Sequence, residues 1–99
     1  MGIIYMEVEL YLSDKPHKKY VVKFPDGKKI YFGAPKYEDY TIHKNNKRKQ
    51  NYIKRHAKNE DWTNKKTAGF WSRWLLWEKP NLGDAIKNIE KEFNLKIKI

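Results

Sequence analysis

Hydrophobic and polar residues alternate in the first part of the chain, over residues 3–12. One side of this stretch carries Met6, Val8, Leu10 and Leu12, and the other carries Glu7, Glu9 and Tyr11. A period of two is typical of a β-strand with one buried face. Two further apolar stretches, residues 20–24 and 29–32, are separated by a Pro-Asp-Gly-Lys sequence in which Gly27 supplies the left-handed position of a hairpin loop. The pattern predicts a meander of three antiparallel strands.

Three helices are predicted after the meander. Residues 39–58 form the first, with Asp39 or Thr41 as its N-cap. Residues 70–77 form a second helix, and a third follows the capping residue Asn81. The apolar stripe of the third helix consists of Leu82, Ala85, Ile86, Ile89 and Phe93.

The chain closes with another alternating stretch. Asn94 suits the left-handed residue that ends a helix. The alternation of apolar residues and lysines over residues 95–99 then predicts a strand. The strand is expected at an edge of the sheet, because edge lysines discourage pairing with other chains. The whole pattern predicts one α+β domain over residues 1–99. In it, a small antiparallel sheet, made of the meander and the C-terminal strand, packs against two to three helices.

The composition and the absence of known motifs exclude several classes of function. The chain has no cysteine, which excludes disulfide scaffolds and cysteine metal sites. Its three histidines lack metal-ligand spacing, and neither a Gly-rich phosphate loop nor a nucleophile elbow occurs. We therefore expect no catalytic residue, metal or cofactor. No apolar run is long enough to span a membrane, and the early acids Glu7 and Glu9 argue against a signal peptide and so against secretion.

The net charge of +10 is concentrated in one predicted helix. Residues 44–58 hold seven basic residues and no acid: Lys44, Lys47, Arg48, Lys49, Lys54, Arg55 and Lys58. On a helical wheel all of them except Lys49 lie within an arc of about 120°, with Tyr52 and His56 at its edge. The opposite face, predicted to pack on the sheet, consists of Asn46, Gln50, Ile53 and Ala57. Such a face can be simply solvated, but like charges destabilise a helix, so an unmixed basic arc indicates an anionic partner.

Three of the four tryptophans lie in the second predicted helix, whose sequence is Phe-Trp-Ser-Arg-Trp-Leu-Leu-Trp. Such rings could stack on unpaired bases. With few aliphatic residues in the chain, however, the better interpretation is that they form the core, with Trp74 near the centre of the apolar arc. Arg73 is the residue expected to be exposed for contact or to stack on a neighbouring ring.

One catalytic pattern offers a remote alternative. Tyr20 and Tyr31 on a hairpin, followed by Arg48 and His56 on a helix, loosely resemble GIY-YIG nucleases. Those enzymes also need a glutamate that holds a metal ion, and residues 70–77 contain no acid. The resemblance therefore implies at most a degenerate nuclease.

Longer strings resemble another family. Residues 39–44 (Asp-Tyr-Thr-Ile-His-Lys), residues 48–56, and the Gly-Phe-Trp-Ser-Arg-Trp-Leu-Leu-Trp string of residues 69–77 are similar to short uncharacterised proteins of large cytoplasmic DNA viruses of the marseillevirus and mimivirus kind. The resemblance covers about residues 19–93. It implies a viral setting, in the virion or in the viral factory of the host cytoplasm, and favours genome handling over metabolism.

Together these observations predict a non-enzymatic, largely sequence-independent nucleic-acid-binding protein, with DNA favoured over RNA. The residues expected at the interface are Lys44, Lys47, Arg48, Tyr52, Lys54, Arg55, His56, Lys58 and Arg73. Another possibility is a virion structural module whose basic face binds acidic viral proteins. The chain is expected to be a monomer or a homodimer, and the helix lacks the large apolar face that binding to a membrane surface requires.

Overall fold

The computed structural model describes residues 6–99 and has an α+β fold. Its sheet contains β1 (Met6–Leu12), β2 (Tyr20–Lys23), β3 (Lys29–Phe32) and β4 (Leu95–Lys98) in the order β3-β2-β1-β4. Its α-helices are α1 (Tyr40–His43), α2 (Asn46–His56), α3 (Ala68–Trp71) and α4 (Leu82–Phe93), and a π-helical turn, Ser72–Leu76, follows α3 directly. The part of the first predicted strand before residue 6 lies outside the described residues.

The meander is confirmed. β1 pairs with β2 and β2 with β3 in antiparallel register, and Gly27 has a φ of +90° in the hairpin loop. Val8 and Leu10 are buried as expected, but Leu12 is 79% exposed because it lies at the end of its strand.

The C-terminal strand is at an edge of the sheet, as predicted, but its direction differs from the antiparallel arrangement expected. β4 pairs in parallel with β1, so the sheet is mixed. An alternating pattern shows which face of a strand is buried, but it carries no information on the direction of the neighbouring strand. The helix before it agrees with the prediction: Asn81 caps α4 by accepting a hydrogen bond from the Asp84 amide at 2.8 Å, and Asn94 ends it with a φ of 53°.

The single helix predicted over residues 39–58 is wrong. Asp39 caps α1, as predicted, but Lys44 adopts a left-handed conformation with a φ of 55° and ends it after one turn. Asn45 then caps α2 by accepting a hydrogen bond from the Arg48 amide at 3.1 Å. A second capping residue inside the predicted helix therefore starts a new helix, and the spacing of apolar residues alone does not reveal this break.

One hydrophobic core lies between the sheet and the helices that follow it. Its largest fully buried side chains include Trp71, Phe24, Phe32, Phe70 and Leu75. The ring of Trp71 is 6.1 Å from that of Phe32 and 6.4 Å from that of Phe24, centroid to centroid. The segment of residues 70–77, called the aromatic segment below, therefore contributes to the core as predicted, but Trp71 is its buried centre, and Trp74 is only partly buried. α2 contributes only Tyr52 to the buried residues, so most of its surface is left for other uses.

Candidate nucleic-acid interface

The outer face of α2 carries the predicted cations in exposed positions. Lys47, Arg48, Lys54 and Arg55 are all exposed, and Lys58 is exposed just after the helix. Arg48 has one weak counter-ion, since its guanidinium lies 3.9 Å from the carboxylate of Glu38, and both side chains are about half exposed or more. Among residues 6–99, the other four cations have no carboxylate within 4.0 Å. We call these five residues the outer basic face.

Lys44 has a different place from the predicted one. It is exposed, but it lies in the left-handed junction between α1 and α2. It is therefore not part of the α2 helical period and lies next to the outer basic face rather than on it.

Of the four residues predicted for the inner face of α2, only Ile53 is placed correctly. Asn46, Gln50 and Ala57 are exposed, whereas the half-buried and buried positions are Lys49, Tyr52, Ile53 and His56. These four positions follow the i, i+3, i+4, i+7 spacing of one helix face. The predicted face was expected to pack on the sheet, but α2 packs through the ring of Tyr52 against Trp77, which follows the π-helical turn.

Tyr52 is a packing residue rather than a residue at the edge of the interface. Its ring is 6% exposed and stacks on Trp77, with centroids 4.4 Å apart and planes within 2°. The ring of His56 also lies against Tyr52, with the two ring centroids 4.4 Å apart. Burial raises the pKa of the Tyr52 hydroxyl to about 12. His56 remains about two-fifths exposed, and its Nδ1 lies 3.7 Å from Glu60.

Lys49, the one cation that falls outside the basic arc, is used internally. Its ammonium donates to the backbone carbonyl of Glu78 at 2.9 Å and lies 3.6 Å from the carboxylate of the same residue. It also lies 5.2 Å from the centre of the Tyr40 ring. Lys49 therefore ties α2 to the segment after the π-helical turn.

Arg73 does not belong to the exposed interface. It is 9% exposed, and its guanidinium donates to Glu78 at 2.7 Å. The guanidinium carbon lies 4.5 Å from the Trp74 ring centre and 5.2 Å from that of Trp62. The stacking part of the expectation is confirmed and the exposed part is wrong. The physical reason is contact with residues outside the predicted helix: Glu78 pairs with the guanidinium, and the Trp62 ring covers it.

A cleft lies beside the outer basic face. It has a volume of about 610 Å³ and separates α2 from the connection between β3 and α1. Arg48, Asn51 and Arg55 line it from α2, and Leu76 and Trp77 line it from the aromatic segment. Asn51 was not singled out from the sequence, although it is found at the middle of the basic arc on the same helical wheel.

The opposite wall of the cleft contains a mostly buried ion pair between Lys19 and Asp39. The Lys19 ammonium lies 2.6 Å from the Asp39 carboxylate, and Asp39 also accepts hydrogen bonds from the amide and hydroxyl of Thr41. These contacts satisfy the Asp39 carboxylate, which is 4% exposed. The charges that remain available in the cleft are therefore those of Arg55 and of Arg48 and Glu38, which also lines the cleft and is only weakly paired with Arg48 at 3.9 Å.

The geometry does not bring the residues of the nuclease pattern together. In the β2–β3 register Tyr20 is opposite Phe32 and Val21 is opposite Tyr31, so the two tyrosines lie on opposite faces of the sheet. Tyr31 donates to Asp14 at 2.9 Å on the face away from the core. No group of three or more metal-ligating side chains occurs within residues 6–99.

Comparison with known protein families gives a match over about half of the chain. Residues 8–56, which run from β1 to the end of α2, are similar to DUF5754, a family of unknown function. No curated protein and no solved structure matches the chain. The matched residues include the whole of α2 and exclude the aromatic segment.

Among the helices of residues 6–99, none has both the length and the apolar composition that a membrane-spanning helix needs.

Proposed function

We propose that this protein binds nucleic acid, DNA in preference to RNA, through the phosphates and without catalysis. The observation that carries the proposal is the outer basic face of α2: five exposed cations with one weak counter-ion among the described residues. Cations that serve the fold have partners, as Lys19, Lys49 and Arg73 show.

The concentration of like charge supports the proposal. The five cations lie within the twelve residues 47–58, and Lys54 and Lys58 have the i,i+4 spacing at which like charges repel. Phosphates would neutralise this charge and would release condensed counterions.

The spacing of the two arginines also fits a nucleic-acid backbone. Arg48 and Arg55 are seven residues apart, which is about 10.5 Å along the helix axis. One DNA strand has a phosphate about every 3.4 Å of axis, so the two side chains span about three phosphates of one strand. Contacts to phosphate carry no base information, and binding is therefore expected to be largely independent of sequence.

A salt titration of duplex binding tests the proposal. The variant Arg48→Gln, Lys54→Gln, Arg55→Gln, Lys58→Gln should lower the slope of log K against log salt by up to about 3.6, or 0.9 for each phosphate contact. A matched control removes four exposed lysines on α4 and β4, namely Lys87, Lys91, Lys96 and Lys98, all replaced by Gln. The control has the same net charge and should keep most of the slope.

Two results would overturn the proposal. One is no binding of duplex or single-stranded DNA or RNA at about 50 mM salt. The other is displacement of bound DNA by polyglutamate at an equal concentration of charge, which would favour the virion module that binds acidic proteins. An unchanged slope in the α2 variant would place the interface outside α2, and an equal loss in both variants would show that binding follows the charge of the whole protein and not α2 in particular.

The resemblance to proteins of large DNA viruses supplies the setting of the proposal. A sequence-independent DNA-binding protein of this charge would accompany or organise a viral genome, in the virion or in the viral factory of the host cytoplasm. Detection of the protein in purified virions, bound to DNA in a form that salt releases, would support this setting.

A further inference from the structure

The cleft beside α2 differs from the outer basic face in shape and chemistry. Lys47, Lys54 and Lys58 lie on the open surface, and none of them lines the cleft. Arg48 and Arg55 belong to both surfaces. A volume of about 610 Å³ is within the ~300–1,000 Å³ range of small-molecule sites and is too small for a duplex.

One wall of the cleft presents the groups that recognise a phosphate and a base edge. The planar guanidinium fork of Arg55 has no carboxylate within 4.0 Å among the described residues, and such a fork matches the geometry of a phosphate. The amide of Asn51 lies on the same face, between the two arginines, and offers both a donor and an acceptor.

The aromatic segment contributes an apolar part of the lining. Leu76 is 2% exposed and lines the cleft together with Trp77. Trp77 is held in place by its stack on Tyr52 and by His43, whose ring centroid is 5.3 Å away. This apolar lining is fixed before any ligand arrives, which lowers the cost of ordering on binding.

We infer that the cleft binds one unpaired, phosphorylated nucleotide, an inference that rests on the proposed function of the outer basic face. The phosphate contacts Arg55 and Arg48, the base packs against the accessible part of Trp77, and Asn51 hydrogen-bonds the edge of the base. The protein therefore prefers single-stranded tails or junctions over continuous duplex, since a base within a duplex cannot enter the cleft.

The test compares two DNA probes with the same number of phosphates, a blunt duplex and a duplex with a four-nucleotide single-stranded tail. Wild-type protein should bind the tailed probe about tenfold more tightly, the effect of accommodating one stacked base. Asn51→Leu, which changes no charge, should abolish that preference and leave the affinity for blunt duplex unchanged. Gln50→Leu is the matched control, because Gln50 is the adjacent exposed amide outside the cleft, and it should keep the preference.

Each other outcome is decisive. Equal binding of both probes by wild-type protein would overturn the inference and leave the proposed function standing, as would a preference that survives in Asn51→Leu. If neither probe binds, titration with a free deoxynucleoside 5′-monophosphate tests the cleft alone. Binding that Asn51→Leu abolishes would identify the ligand as a free nucleotide, and absence of binding would overturn the inference together with the proposed function.

Discussion

Arginines on α2 and in the aromatic segment have opposite surroundings. Arg55 lies exposed on α2, and no carboxylate of residues 6–99 is within 4.0 Å of its guanidinium. Arg73 is 9% exposed, paired with Glu78 at 2.7 Å and covered by the rings of Trp62 and Trp74. The same side chain is left available in one region and is enclosed and paired in the other.

The difference teaches how to separate cations that bind a partner from cations that hold the fold. A buried ion pair contributes little net stability over apolar packing, but removing one of its members is costly. An exposed cation contributes little to stability, and its loss is felt only by an anionic ligand. The two regions should therefore respond to substitution in opposite ways, with stability affected in one and salt-dependent binding in the other.

The largest effect is expected at the centre of the aromatic segment. Trp71 is 0% exposed and its indole nitrogen donates to the Lys65 carbonyl at 2.7 Å, whereas Trp74 is only partly buried. Trp71→Ala should lower the free energy of unfolding by about 3–5 kcal/mol, and Trp74→Ala should lower it by less. Urea denaturation of both variants measures the difference. A larger loss in Trp74→Ala would mean that the core is centred elsewhere.

The next effect distinguishes the two kinds of arginine directly. Arg73→Gln should destabilise the fold by about 2–3 kcal/mol, because Glu78 then loses its closest charge partner at a mostly buried site. The loss stays below that of a fully buried pair, since the Glu78 side chain is 23% exposed and keeps Lys49 at 3.6 Å. The salt slope of DNA binding, measured at a temperature where the variant is folded, should not change. A reduced slope would show that Arg73 contacts a phosphate after all.

The inner face of α2 supplies a pH-dependent contribution to stability. Burial raises the pKa of Tyr52 from 10.0 to about 12, so the native state favours the neutral phenol. This contribution is fully present below pH 10 and is lost as the pH rises towards 12, on the order of 2 kcal/mol. Stability against pH should therefore fall more steeply in wild-type protein than in Tyr52→Phe between pH 10 and pH 12. Parallel curves would show that the hydroxyl is solvated.

Most of the fold could be predicted because its signals are local. Alternation identified the strands, Gly27 the hairpin, and Asn81 and Asn94 the ends of α4. The errors arose where a second local signal or a tertiary contact overrides the period. The capping residue Asn45 divides the first predicted helix, and contacts with Glu78 and Trp62, which lie outside the second predicted helix, bury Arg73.

The candidate site could be predicted in part for the same reason. The exposure of Lys47, Arg48, Lys54 and Arg55 follows from a regular helical period, so the wheel identified them correctly. The cleft could not be predicted, because its walls come from segments far apart in the chain, including Lys19 and Trp77. Tyr52 was misplaced because nothing in its own sequence neighbourhood indicates the stack on Trp77.

The smallest effect on stability, and the most informative one for function, is expected for Arg55→Gln. The substitution keeps helix propensity and removes an exposed cation without an ion-pair partner among the described residues. The free energy of unfolding should therefore change by less than about 0.5 kcal/mol. Duplex binding should weaken to the same extent for unrelated sequences, and the salt slope should fall by about 0.9, the value for one phosphate contact.

The control variant for this prediction is Lys54→Gln, one residue earlier. It should lower the slope equally but leave the preference for a single-stranded tail intact, because Lys54 lies outside the cleft. Loss of stability in Arg55→Gln comparable to that in Arg73→Gln would show that the two arginines do not differ in role, and the distinction between a binding cation and a structural one would fail for this protein.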